Sequence, residues 1–204
     1  AAWRLDQVAT MGYDAHPPAY YIQLHLWMLL GTSDLWLRLN STLWSIASVI
    51  SLFLICKKIV GSKIAIIAAL LFALCPFSVA YSQEARMYSL LMFLSIWSLF
   101  FAHRFLHASK VGWSMIGMVV STVVFLYSHG SSFMLLFSLL SYAVICTIQR
   151  KGNNRWRRLA LWLAVQLLIV ILYIPWLKHA QSVRPGHTLT PTVADFIDTL
   201  YVLL

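Results

Sequence analysis

The chain has 204 residues, of which 61% are hydrophobic and only 10% charged, with a formal net charge of +9 and a mean hydropathy of +0.78. Soluble domains carry about a quarter charged residues. Too little polar surface is therefore available to cover a water-soluble globule, and lipid must be the main solvent. The positive charge is not the footprint of a nucleic-acid binder, because the basic residues sit in short loops between apolar runs rather than on one soluble face.

In chain order, the first ten residues, AAWRLDQVAT, contain no initiator Met and form no apolar span or signal peptide. The last five, LYVLL, stop inside an apolar run. Together these ends lead us to expect a piece of a longer protein. Residues 20–31, YYIQLHLWMLLG, are apolar but only a dozen long, short of the roughly 20 that cross a bilayer core of about 30 Å. They predict a helix lying at the membrane interface, started by the prolines of HPP, which suit a first helical turn.

Six longer apolar segments follow, at about 38–56, 64–81, 88–103, 112–128, 132–148 and 159–177. The expected fold class is all-α, a polytopic transmembrane helix bundle with interfacial juxtamembrane helices. Its expected organisation is an outer loop with an interfacial helix (1–37), a six-helix membrane module (38–177), and an outer loop leading into a further helix (178–204). In that last part Thr192, with Asp195 three residues on, resembles a capping arrangement. Cys56, Cys75 and Cys146 fall in or beside apolar runs without metal-ligand spacing and read as small buried residues, with no zinc site or disulfide framework.

Alternate connections collect Lys57, Lys58, Lys63, Arg104, Lys110, Arg150, Lys151, Arg155, Arg157 and Arg158, ten of the fifteen Lys and Arg. By the positive-inside rule that side is the cytoplasm. All six acids (Asp6, Asp14, Asp34, Glu84, Asp195 and Asp198) fall on the other side. A full span at 20–31 would break this separation, which supports the interfacial reading.

The polar groups of chemical interest also lie on the outer side. They are Asp14, His16, Tyr20 and Tyr21 in YDAHPPAYY, Arg38 near the start of the first span, Gln83, Glu84, Arg86 and Tyr88 in YSQEARMY, and His129 in YSHG. Each has a plain structural explanation. Arg and Tyr at helix ends anchor at the interface, an exposed Glu84–Arg86 pair contributes about 0–1 kcal/mol, His129 suits a loop, and Asp6 reads as a solvated loop residue. Taken together, they place acid, base, guanidinium and phenol groups at the mouths of consecutive helices, where ionisable groups tend to mark function.

A carboxylate there can serve as general base toward a hydroxyl. Arg presents a planar fork suited to phosphate, and interfacial Tyr and Trp rings suit a sugar or an isoprenoid chain. The combination favours a lipid phosphate handled at the outer surface. A cytoplasmic nucleotide-sugar site is disfavoured, since neither a glycine-rich phosphate loop nor an acidic pair appears on the cytoplasmic side.

The succession DAHPPAYYIQLHLWMLLGTSDLWLRLNS, ALCPFSVAYSQEARMYSL, FLYSHGSSFMLL and YIPWLKHAQSV resembles the bacterial GT-C glycosyltransferases. These are membrane enzymes related to dolichyl-phosphate-mannose protein mannosyltransferases and to the aminoarabinose transferase of lipid A. The resemblance covers nearly all of the chain and implies a polyprenyl-phosphate-linked sugar donor. It also implies a lipid, glycan or protein acceptor, inversion at the anomeric carbon, and a site on the extracytoplasmic side of the bacterial plasma (inner) membrane. His16, Pro17 and Pro18 match the motif of the family's first outer loop, and Arg38 matches the Arg after that loop's juxtamembrane helix. Glu84, Arg86 and Tyr88 match the second outer-loop motif. Within that scheme Arg38 and Arg86 contact the donor phosphate, and Glu84 positions Arg86 or the sugar.

One departure matters. The family's principal catalytic acid lies in an acidic motif early in the first outer loop, and this chain begins downstream of it; Asp14, just ahead of HPP, is the nearest substitute. No compact His/Asp/Glu ligand set appears, so no cofactor is called for and a divalent metal stays an open alternative. Two other function classes compete. A transporter or flippase predicts ionisable groups and broken helices at mid-membrane, whereas the span interiors hold Ser, Thr, Asn40 and Gln166 but no acid or base near the midplane. A non-catalytic scaffold would keep the family fold without the acidic motif.

Overall fold

A computed structural model of the chain describes residues 17–107, 112–130, 132–150 and 154–183, and eight helices run through them with no strand among the described residues. They are α1 (Ala19–Met28), α2 (Asp34–Val60), α3 (Ser62–Leu74), α4 (Pro76–Ser82), α5 (Tyr88–His107), α6 (Gly112–Leu126), α7 (Phe133–Gln149) and α8 (Asn154–Val183). The protein is thus an all-helical membrane bundle. Asp14, His16 and the proposed Thr192–Asp195 cap lie outside the described residues.

Three helices, α2, α5 and α8, are long and apolar enough to cross a membrane by themselves. The 64–81 run, expected as one span, is instead the broken pair α3–α4, bent by 59°. The cause is local. Pro76 has no N–H to donate and disfavours the helical region for the residue before it, and Cys75 accordingly sits at φ −61°, ψ 125°. Pro76 then opens α4 at its first turn, where the missing donor costs nothing. The remaining apolar helices, α6 and α7, have 15 and 17 residues, about 22 and 26 Å long at 1.5 Å per residue. At those lengths they need local bilayer thinning to span.

Helix α2 begins at a cap read directly from TSDLW: Ser33 Oγ accepts a hydrogen bond from Trp36 N at 3.2 Å, and Asp34 places a negative charge in the first turn. The α1–α2 corner is clasped by Trp27 and Trp36, stacked 4.7 Å apart. Trp27 Nε1 donates to Trp36 O at 2.8 Å, and Trp36 Nε1 donates to Trp27 O at 3.2 Å. At the far end, Gly61 turns the chain with φ +97°, a conformation that L side chains rarely adopt.

The packing is inverted relative to a soluble protein. Ser41, Ser45, Ser48 and Ser51 form a buried stripe along α2, which packs on α3 and α5. Ala65 and Ala69 are buried on α3. Small residues let helix backbones approach where no hydrophobic drive operates between them. Large apolar side chains face outward instead, with Leu71 68%, Phe137 71% and Leu167 61% exposed. Between α5 and α6 the approach is close at Gly117, where an added Cβ would lie 2.5 Å from the Phe101 ring. Nearby, Ser98 Oγ donates to Ser121 Oγ at 3.0 Å, and Thr122 Oγ1 donates to Ser98 Oγ at 3.3 Å.

Two apolar clusters knit the bundle. The larger joins α5 to α8 through Phe105, Met118, Leu139, Trp162 and Ile169. The smaller, Tyr20 with Met87, Leu90 and Leu94, lies under the loop between α4 and α5. The cysteines depart from expectation. Cys56 and Cys146 are half-buried and Cys75, at the break between α3 and α4, is exposed.

Candidate active site

Four separated stretches meet at one end of the bundle. Ala19 N donates to Tyr127 O at 2.8 Å, joining the turn after HPP to the end of α6. Pro17 is fully buried there. The loop from Gln83 to Met87 is gripped by one face of α2. Arg38 Nη1 donates to Gln83 O at 3.3 Å, Ser41 Oγ to Arg86 O at 3.4 Å, and Thr42 Oγ1 to Ser82 O at 2.9 Å. Positions 38, 41 and 42 are i, i+3 and i+4 of a helix and so share a face. Ser89 Oγ closes the loop from the other side onto Tyr81 O at 2.9 Å.

Within this loop Arg86 N donates to Glu84 O at 2.8 Å, and Arg86 Nε faces Glu84 Oε2 at 3.5 Å. The side chains are 66% (Arg86) and 48% (Glu84) exposed. An ion pair so exposed contributes little to the fold, so holding the loop together does not account for it. Arg38, Glu84 and Arg86 line one open groove of about 400 Å³, together with Asp34, Leu37 and Ala85. Two guanidinium groups and two carboxylates thus border a cavity large enough for a phosphate and a sugar ring.

The loop between α4 and α5 has an aromatic flank. Tyr81 and Tyr88, the two ends of YSQEARMY, pack ring on ring at 4.1 Å. Phe77 meets Tyr81 edge-on at 4.7 Å, and His129 lies 5.9 Å from Tyr88. The tyrosines therefore pin the loop's two ends to each other. His129 is held in a turn where Ser132 Oγ donates to its carbonyl.

Arg38, Glu84 and Arg86 thus share the groove, Gln83 meets Arg38 through its carbonyl, and Tyr88 and His129 pack together beside the loop rather than in the groove lining. Tyr20 and Tyr21 sit differently. Tyr20 is 3% exposed and packs beneath the loop; burial pushes its phenol above the usual range, with the Ser41 hydroxyl alongside, and no hydrogen bond closes on its oxygen. Tyr21 meets Tyr20 edge-on at 5.6 Å and is half-buried. Among the described residues no three His, Cys, Asp or Glu side chains converge as a metal site.

Asp34 is the groove residue that the sequence reading leaves among the general acids. Its signal is the spacing to Arg38: four residues apart on α2, the two share a face. Three carbonyl-gripping side chains of α2, Arg38, Ser41 and Thr42, carry the same helical signature.

An apolar helical bundle with a charged groove at one end defines a membrane protein with a polar site at one mouth. Residues 15–179 match the family model of dolichyl-phosphate-mannose-protein mannosyltransferase, and the chain belongs to that family. No curated protein and no solved structure matches it.

Proposed function

We propose that this chain forms part of a membrane glycosyltransferase that takes a sugar from a polyprenyl-phosphate donor and transfers it, with inversion, to a lipid, glycan or protein hydroxyl. The observation that carries the proposal is the groove in which Arg38 and Arg86 stand with Asp34 and Glu84. The family supports glycosyl transfer, and the groove supplies the group that a phosphate leaving group requires. The ten basic residues of the alternate connections put the opposite end in the cytoplasm by the positive-inside rule. The groove then opens on the extracytoplasmic side of the bacterial plasma membrane.

In this mechanism the acceptor oxygen attacks the anomeric carbon while the bond from that carbon to the phosphate oxygen breaks in line. The acceptor proton passes to a carboxylate, supplied by Asp14 or by an acid upstream of this chain. The departing polyprenyl phosphate gains negative charge, and Arg38 and Arg86 stabilise it. Glu84 holds Arg86 in place through its contact at 3.5 Å. Tyr88 and His129 face the sugar or the first isoprene units from the aromatic flank.

A transporter would place its helix break at mid-membrane among polar groups. The break at Cys75 lies one seven-residue helix from the groove end, about 10 Å at helical rise, and Cys75, Pro76 and Phe77 are exposed beside it. In this reading the bend belongs to the groove end of the bundle rather than to a mid-membrane transport site. The test is Glu84→Gln in the full-length protein, which keeps the side chain's size and removes its charge. The expected result is a marked loss of sugar transfer with normal membrane insertion; undiminished transfer would take Glu84 out of the site.

A further inference from the structure

The opposite end of the bundle contains a second polar cavity, of about 240 Å³, between the C-termini of α5 and α7 and the start of α8. Arg150, Arg155, Arg158, His107 and Gln149 line it. Arg158 Nη1 donates to Leu106 O at 2.9 Å, and Arg150 Nη1 donates to the same carbonyl. Arg155 Nη1 donates to Arg150 O at 3.1 Å. The arginines are therefore placed by the ends of two helices and do not simply trail into solvent. No Asp or Glu occurs in the sequence between Glu84 and Asp195, and the carboxylates of the described residues, Asp34 and Glu84, lie at the other end.

A guanidinium has five N–H donors. One carbonyl bond each leaves Arg150 and Arg155 with donors for a further acceptor, and a planar fork favours phosphate. On α7, Ile145 lies one turn before the cavity residue Gln149, and Ile145 and Ile148 are 52% and 68% exposed. Acyl chains can lie along that side while a headgroup enters the cavity.

We propose that this cavity is a binding site for the phosphate of an anionic phospholipid, distinct from the groove between α2 and the loop after α4. Basic pockets between helices on the cytoplasmic side attract acidic headgroups, and each cation near the surface is worth about fivefold in binding. The site does not depend on the glycosyltransferase reading, only on the chain residing in a membrane with this basic end at the cytoplasmic surface.

The test uses the full-length protein in a non-ionic detergent, with native mass spectrometry counting retained lipid during titration with phosphatidylglycerol, phosphatidylcholine or inorganic phosphate. Phosphatidylglycerol should be retained at least about fivefold better than phosphatidylcholine, and inorganic phosphate should displace it only weakly. Arg155→Gln should lower retention about fivefold. Gln149→Glu, a change at an exposed position that adds a negative charge to the cavity rim, should do the same in a protein whose fold is undisturbed. Equal retention of both lipids, retention unaffected by Gln149→Glu, or displacement by inorganic phosphate at matching concentration would overturn the proposal.

Discussion

Replacing Arg38 by Ala separates a structural from a functional role for the groove. Among the described residues the Arg38 side chain donates to Gln83 O at 3.3 Å from an exposed position. Thr42 and Ser41 hold the same loop independently. At 3.3 Å and exposed to solvent, this guanidinium–carbonyl bond competes with water, and the loss from Arg38→Ala should stay below about 1 kcal/mol. A charged hydrogen bond to a departing phosphate is worth about 1.5–3 kcal/mol, which at 1.36 kcal/mol per decade gives a fall in kcat/KM of about 10- to 150-fold. Arg38→Lys keeps the charge but not the planar fork, so its activity should fall between the two. The assay is transfer of labelled sugar from polyprenyl phosphate, normalised to folded protein by thermal unfolding in detergent. Activity falling only in step with folded protein, or Lys behaving as wild type, would refute phosphate contact by the Arg38 fork.

Three further outcomes are expected. Gly117→Ala forces a methyl against the Phe101 ring, whose nearest carbon would be 2.5 Å away. It should destabilise the bundle by about 1–3 kcal/mol, read as a lowered unfolding temperature; an unchanged temperature would contradict the close α5–α6 approach. Tyr20→Phe removes a buried hydroxyl that lacks a partner, so at neutral pH it should be neutral or stabilising by about 1 kcal/mol. Because burial raises the folded phenol's pKa above that of the unfolded chain, this group's contribution is fully present below pH about 10 and is lost as pH rises above it. The Phe variant should therefore unfold less steeply in alkali than wild type, and identical alkaline profiles would contradict the burial. Gly31→Ala would press a Cβ within 3.1 Å of the Trp36 ring and should disturb the Trp27–Trp36 stack, visible as a change in near-ultraviolet circular dichroism; an unaltered spectrum would contradict that geometry.

Much of the helical architecture can be read directly from apolar run length, because a helix in lipid needs a continuous stretch of side chains that tolerate hydrocarbon. The break at Cys75–Pro76 is also visible in principle, but hydropathy averages over a window and passes across a single proline. The site is legible in part. Arg38, Glu84 and Arg86 stand out as charges in an apolar chain, and their meeting in one groove follows from α2 crossing the loop after α4. Asp34 stands out less, since its charge at a helix start is fully explained as a favourable first-turn residue. The ring contact of Tyr81 with Tyr88 and the burial of Tyr20 depend on how the loop folds back. No periodicity within one segment reports such long-range contacts. The serine stripe of α2 follows membrane logic instead: small hydroxyls bury and large apolar side chains face lipid.

The central claim is that the groove binds the phosphate of a polyprenyl-linked sugar and discharges that sugar to an acceptor. The most direct measurement is transfer of label from a panel of polyprenyl-phosphate sugars to membrane acceptors, comparing the full-length protein with its Arg86→Ala variant at equal insertion. The wild type should transfer sugar from at least one donor, and the variant should lose at least about tenfold of that activity. Transfer unchanged by Arg86→Ala, or no transfer from any donor by correctly inserted protein, would contradict it.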